Sequence, residues 1–203
     1  MFLAQQAARA LDVELMTVPG FSLDQLMELA GLAVAQVVAH LYSNQTRVIT
    51  LAGPGNNGGD ALVAARHLKH FGFANQLVVY PKSGKDLLFT NLVAQLDQVD
   101  VPVSQTMPEL DKEFDLVLDG VFGFSFQAGG SGGVREPFDL IMRELRQTNL
   151  PVVSIDVPSG WDVELGDVNG YGVKMPQVLV SLTAPKLCAK TFTGPHHFLG
   201  GSL

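Results

Sequence analysis

The sequence predicts an α/β fold: a three-layer α/β/α sandwich around a Rossmann-like, mostly parallel sheet. Three observations carry this. Short apolar runs without polar alternation recur along the chain, as strands buried on both faces require. Segments of helical period separate those runs, and such alternation builds βαβ crossovers onto a parallel sheet. Turns rich in glycine or ending in aspartate come after the runs, where an open parallel sheet places its ligands.

The elements can be taken in order. Leu3, Ala7, Ala10, Leu11 and Leu15 have helical spacing, which predicts a helix from Leu3 to Val18. Ser22 and Gln25 form a capping-box pattern, with Phe21 placed to staple onto Leu26, so a second helix runs to about Leu41. RVITLA, from Arg47, is the first strand, and Asp60 to Phe71 is helical. QLVVY (from Gln76) is a strand, Asp86 to Leu96 a helix, and PVSQT (from Pro102) a weaker strand. DLVLD (ending at Asp119) and PVVSID (ending at Asp156) flank a helix near Glu136 to Gln147. QVLVSLTA, from Gln177, is the last strong strand. The QAGGSGG stretch lies within one βα connection, so residues 1–203 are expected to form a single domain.

Composition narrows the function. A hydrophobic share of 47% with 16% charged residues excludes disorder and implies a filled core. Thirteen Lys and Arg against twenty Asp and Glu leave −7, which disfavours a phosphate-tracking nucleic-acid binder. No apolar run reaches the roughly 20 residues of a membrane span. The lone cysteine, Cys188, and an amino end unlike a secretory signal point to a reducing, cytoplasmic setting. A mitochondrial setting fits if a cleaved leader precedes the chain.

Polar chemistry collects behind the strands. GPGNNGGD, Gly53 to Asp60, sets four glycines in eight residues just before a helix, a backbone suited to close approach of an anion. Gly53, Gly55 and Gly58 satisfy G-x-G-x-x-G, yet the second strand ends in Tyr80-Pro81-Lys82 without the acidic residue a dinucleotide fold needs. The Gly-Lys-Ser/Thr ending of a P-loop is also missing. A tight turn is the plainer reading of this loop, but Asn56, Asn57 and Asp60 suggest a more specific site. Asp119 and Asp156 each end a strand, the first succeeded by the apolar Phe122, Phe124 and Phe126, the second by Pro158-Ser159-Gly160. Asp119 could instead merely cap its turn. Three carboxylates beyond three strands repel unless protons or a cation compensate. Oxygen donors at Asn57, Asp119 and Ser159 would suit a hard cation, and no Cys/His cluster offers a zinc site. Lys82 and Lys186 are the basic groups nearest strand ends, while Trp161, His196 and His197 read as structural.

In this order, LAGPGNNGGD, LDGVFGFSF, IDVPSGWDVE and LTAPK resemble the NAD(P)H-hydrate epimerase family. This is the YjeF amino-terminal domain family, whose animal members are also called apolipoprotein A-I-binding protein. The similarity runs from FSLDQLMELAG to HHFLGG, nearly the whole chain. It implies a Rossmann-like sandwich, a homodimer, and epimerisation at C6 of the hydrated cofactors NADHX and NADPHX. A partner NAD(P)HX dehydratase then acts on the S form. Carried over, the hydrate-binding residues are Asn56, Asn57, Gly58, Gly59 and Asp60, then Gly123, Phe124, Ser125, Phe126, Gln127, Ala128 and Gly129, and Asp156. A potassium ion, one per subunit, is implied at Asn57, Asp119 and Ser159. Two departures stand out. AGGSGG separates the FGFSF stretch from Val134, where relatives pass in a few residues, and the chain stops at GGSL, where relatives continue. With GGSL as the last residues, the epimerase half alone is expected, without a dehydratase domain.

The C6 hydroxyl is part of a hemiaminal, so the ring nitrogen expels it once its oxygen is protonated. Water can return to the planar iminium from either face, which calls for a general acid/base, Asp119 or Asp156. The competing class is a binding module of the same fold, of scaffold or apolipoprotein-binding type, but such versions tend to lose the pocket acids. An ordinary NAD(P)-dependent oxidoreductase lacks both the ribose-binding acid and a hydride-transfer constellation here.

Overall fold

The computed structural model describes residues 1–126, 134–168 and 170–201. Its centre is a seven-stranded sheet in the order β3-β2-β1-β4-β5-β6-β7, with every neighbouring pair parallel. β1 (Val48–Ala52), β4 (Leu116–Gly120), β5 (Val152–Ile155) and β6 (Val178–Leu182) are buried at every residue. Their unbroken apolar character has its reason there, because both faces of the sheet are covered.

One face packs on α2 (Leu23–Leu41), α3 (Asn56–His70) and α4 (Leu87–Gln98), through Val34, Val38, Leu62, Leu68 and Leu96. The other packs on α5 (Leu110–Glu113) and α6 (Phe138–Gln147), through Ile141, Met142 and Leu145. The expected three layers are present. The capping box before α2 forms as read: Ser22 Oγ accepts from Gln25 N–H, and Gln25 Oε1 accepts from Ser22 N–H at 2.9 Å.

The chain winds one way through β2 (Gln76–Val79) and β3 (Val103–Ser104), then crosses β1 to begin β4. That reversal opens a crevice beyond the carboxyl ends of β1 and β4.

Four features differ from the sequence reading. α3 starts at Asn56 rather than Asp60, so the glycine motif is largely a helical first turn. Its glycines serve packing: a Cβ on Gly58 would lie 1.8 Å from the Gly53 carbonyl oxygen, and one on Gly59 would lie 2.4 Å from Met27 Sδ. α1 spans Gln5–Thr17, shorter than expected, because Leu3 is pulled into a parallel bridge with Lys186. β7 (His196–Gly200) is an edge strand with no apolar run to announce it, pairing along β6 with His197 opposite Leu179. α5 is a single short turn that hydrophobic period does not mark.

Candidate active site

A cavity of about 320 Å³ fills the crevice. The turn after β1 and the start of α3 supply Pro54, Asn56, Asn57 and Asp60, and the turn after β4 supplies Val121 through Phe126. Asp156 comes after β5, Thr183 and Lys186 after β6, and Asp12, Leu15 and Met16 come from α1. The walls are apolar: Leu26 and Met27 on one side, and Phe122 stacked on Phe126 with ring centroids 4.2 Å apart on another.

Asp156 is held from three directions. Its backbone sits in the left-handed region at φ 64°, a conformation a short polar side chain tolerates better than a branched one. Its N–H donates to Val180 O at 2.7 Å, while Oδ1 accepts from Leu182 N–H at 3.1 Å and from Lys186 Nζ at 2.5 Å. Lys186 is 5% exposed, so this is a buried ion pair. Nζ also donates to Leu182 O at 3.0 Å and lies 5.4 Å from the Phe124 ring centroid. The amino-terminal arm braces this corner. Leu3 N–H donates to Pro185 O and Leu187 N–H to Leu3 O, and Gln5 Nε2 donates to Phe124 O at 2.7 Å.

Asp60 is the contrasting carboxylate. It is 9% exposed and has neither hydrogen-bond nor ion-pair partner for its side chain among the described residues. Burial first, then the nearby Asp156 carboxylate, pushes its carboxyl well above the usual range. The Lys186 charge opposes this, and Asp12 adds to it. Asp12, half-buried on α1, is raised chiefly by burial.

Asp119 lies beneath the cavity rather than in its wall. It is 0% exposed: Oδ2 accepts from Ser154 Oγ and from Ser159 N–H, both at 2.9 Å, and burial raises its carboxyl against those bonds. Ser159 in turn accepts from Phe122 N–H at 2.8 Å, tying the turn after β5 to the turn after β4. Sheet register explains the first contact, since Asp119 pairs with Ser154 across β4 and β5.

Of the residues singled out from sequence, Asn56, Asn57, Asp60, Gly123, Phe124, Ser125, Phe126 and Asp156 line the cavity. Gly58, Gly59, Asp119 and Ser159 are buried behind that wall. Gln127, Ala128 and Gly129 lie outside the described residues. Lys82 is exposed and away from the cavity, whereas Lys186 belongs to it. Asp12, Thr183 and the α1 wall were missed. An aspartate inside an amphipathic helix reads as a solvated position, and only the docking of α1 reveals otherwise. Trp161 is structural, its Nε1 donating to Val173 O at 2.8 Å, and His197 bonds Ser181 Oγ at 2.8 Å.

The donor set fits a hard monovalent cation. Asn57 Nδ2 is buried without a hydrogen-bond partner, and turning that amide over would aim an unpaired oxygen at the same spot. Asp119 is a buried carboxylate with no cationic partner among the described residues, and Ser159 adds a hydroxyl beside it. Gly123 packs against Asn57, for a Cβ there would lie 3.3 Å from its Oδ1, so the turn after β4 meets the first turn of α3.

The YjeF-related protein N-terminus family matches residues 23–188. The NAD(P)H-hydrate epimerase of Fusarium vanettenii is 50% identical over 203 residues, covering 98% of this chain and 84% of that protein. The chain belongs to this NAD(P)H-hydrate epimerase family. A Caenorhabditis elegans member of the same name is 48% identical over 202 residues, covering 98% of this chain and 83% of its own. Pyridoxine/pyridoxamine 5'-phosphate oxidase 1, chloroplastic, of Arabidopsis thaliana is 50% identical over 214 residues, but the chain spans only 39% of its length. The crystal structure of the yeast protein ynu0 superposes with a TM-score of 0.91 at 40% identity, covering 100% of this chain and 89% of that one. In this family member the matched region begins at Leu23, so α1 and its Asp12 lie outside it.

Proposed function

We propose that this chain is an NAD(P)H-hydrate epimerase that interconverts the R and S forms of NADHX and NADPHX at C6. The observation that carries the reading is the cavity at the β1/β4 switch point, where the ion-paired Asp156 and the unpaired Asp60 face one apolar-walled space. The names of the fungal and nematode relatives support it.

The ring of the hydrate lies between Leu26 and Met27 and the stacked Phe122 and Phe126, which give it apolar walls. Asn56, Asn57, Asp60, Gly123, Phe124, Ser125 and Asp156 contact it. Gly58 and Gly59 act from behind, by letting α3 approach. Asp156 moves the proton at the C6 oxygen, because its second carboxylate oxygen has no protein partner among the described residues while Oδ1 is anchored. Asp119, enclosed by Ser154 and Ser159, takes the supporting role of the two strand-end acids. Asn57, Asp119 and Ser159 would hold a potassium ion, which when bound supplies positive charge to orient ligand oxygens.

A homodimer, one potassium ion per subunit, a single domain over residues 1–203 and delivery of the S form to an NAD(P)HX dehydratase complete the proposal. No helix among the described residues is long and apolar enough to cross a membrane. We place the protein in the cytoplasm or, behind a leader, in an organelle; the word chloroplastic in the Arabidopsis relative's name bears on that choice.

The test uses purified R-NADPHX in potassium buffer, with the S form drained by added dehydratase. Conversion should exceed the spontaneous rate, and Asp156→Asn should slow it by ~100-fold or more while binding is partly kept. Unchanged turnover in Asp156→Asn removes that residue's role. No acceleration by the unaltered protein turns the reading to a binding module.

A further inference from the structure

We propose that Asp60 is a second catalytic carboxylate, working on the face of the nicotinamide ring opposite Asp156, so that each inversion at C6 uses both. The inference rests on the epimerase reading and deepens it. β4 separates β1 from β5 in the sheet, so Asp60, which lies past β1, and Asp156, which lies past β5, reach the cavity from two sides of one strand. Their surroundings differ. Asp156 is ion-paired with Lys186, while Asp60 has no donor and no cation among the described residues, and little exposure to water. Asp156, Asp12 and Lys186 are the ionisable groups that bear on Asp60, the two acids disfavouring its charge and the lysine favouring it. An ion-paired carboxylate and a buried, unpaired carboxyl facing one cavity are placed to serve as base and acid to a single substrate.

Inversion needs such a pair. The hydroxyl must leave from one face of a planar iminium and water must add to the other. A single carboxylate reaches one face unless the ring turns over, and Leu26, Met27, Phe122 and Phe126 wall the cavity of about 320 Å³ against such a turn. Atoms and electrons balance in two stages. Asp60 gives its proton to the C6 hydroxyl, the C–O electron pair leaves with water, and the ring nitrogen's lone pair forms N1=C6. A second water then bonds C6 from the Asp156 side, returns that electron pair to nitrogen and gives its proton to the Asp156 carboxylate. Solvent resets the two carboxyls, and the reverse reaction begins from the exchanged state.

The experiment tracks inversion and oxygen exchange together, with each epimer of NADPHX in heavy-oxygen water. With the unaltered protein every inversion should bring one solvent oxygen to C6. Inversion with retained oxygen overturns the proposal without any variant. Asp60→Asn should lose inversion by ~100-fold or more, yet one epimer alone should keep exchanging its C6 oxygen above the spontaneous rate. Asp156→Asn should show the same for the opposite epimer. If Asp60→Asn loses exchange and inversion in equal proportion for both epimers, or keeps inversion within about threefold, the proposal falls. If the unaltered protein inverts neither epimer, the epimerase reading itself fails.

Discussion

At the scale of single residues, the site is a study in how burial sorts chemically identical groups. Asp60, Asp119 and Asp156 are all buried, but they differ in what compensates them. Asp156 has a lysine, Asp119 has two serines, and the Asp60 side chain has no partner among the described residues, so burial pushes its carboxyl up. This has a consequence for stability. The folded chain raises Asp60 well above its ordinary value of 3.8, so between the two values the folded state keeps a proton that the unfolded state has released. Stability from this group therefore falls as pH rises through that window. Asp60→Asn removes the titration. The variant should melt above the unaltered protein near neutral pH, and the gap should close as pH is lowered toward the ordinary value, as read by thermal denaturation across pH. A variant that melts lower at neutral pH would show that the Asp60 carboxyl is stabilised by something other than its proton.

At the scale of elements, α3 is the piece on which the site depends. Its amino end can sit against the turn after β1 only because Gly58 has no side chain, and that turn meets Val121 only because Gly53 has none. Gly58→Ala should therefore displace the first turn of α3, carrying Asn57 and Asp60 with it, at a cost of ~1–3 kcal/mol and with loss of epimerisation. Gly55→Ala meets nothing within 4 Å and serves as the control. It should cost no more than ~1 kcal/mol and keep its fold. Equal losses in both, measured by denaturant unfolding, would contradict this packing account. The motif was legible as a glycine cluster near a ligand, but not as a helix. Loop-forming and close-packing glycines look alike in sequence, and only the neighbouring carbonyl at Gly53 tells them apart.

At the scale of the whole molecule, the sheet brings together groups from α1, α3 and the turns after β4, β5 and β6, while the chain as a whole carries −7. An acidic cavity in an acidic protein gains from a bound cation. If Asn57, Asp119 and Ser159 hold potassium, the protein should melt higher in potassium than in an equal concentration of a bulky organic cation, its unfolding free energy rising by ~2.7 kcal/mol at a hundred times the dissociation constant. Asp119→Ala should abolish the difference. A melting temperature indifferent to the cation would argue for protons alone as the compensating charge.

The sequence by itself determined the layered α/β architecture and the edge of the sheet where the chemistry collects. Both depend on local properties: an apolar run long enough to be a strand, a helical period, and the residue types just past each strand end. Residue pattern alone reads Asp119 and Asp156 alike, each an aspartate at the end of a buried run. Only the family resemblance assigned the first to an ion and the second to the ligand. Tertiary structure separated them. Asp119 is still within β4 and is drawn under the cavity by Ser154 across the sheet, whereas Asp156 lies one residue past β5, where a left-handed backbone and Lys186 set it in the cavity wall. The same holds for Asp12 and for the weak edge strand at His196–Gly200, which pairs because β6 offers it an open edge. The charge state, direction and partner of a buried group are set by atoms distant in sequence, and those atoms become neighbours only when the sheet assembles.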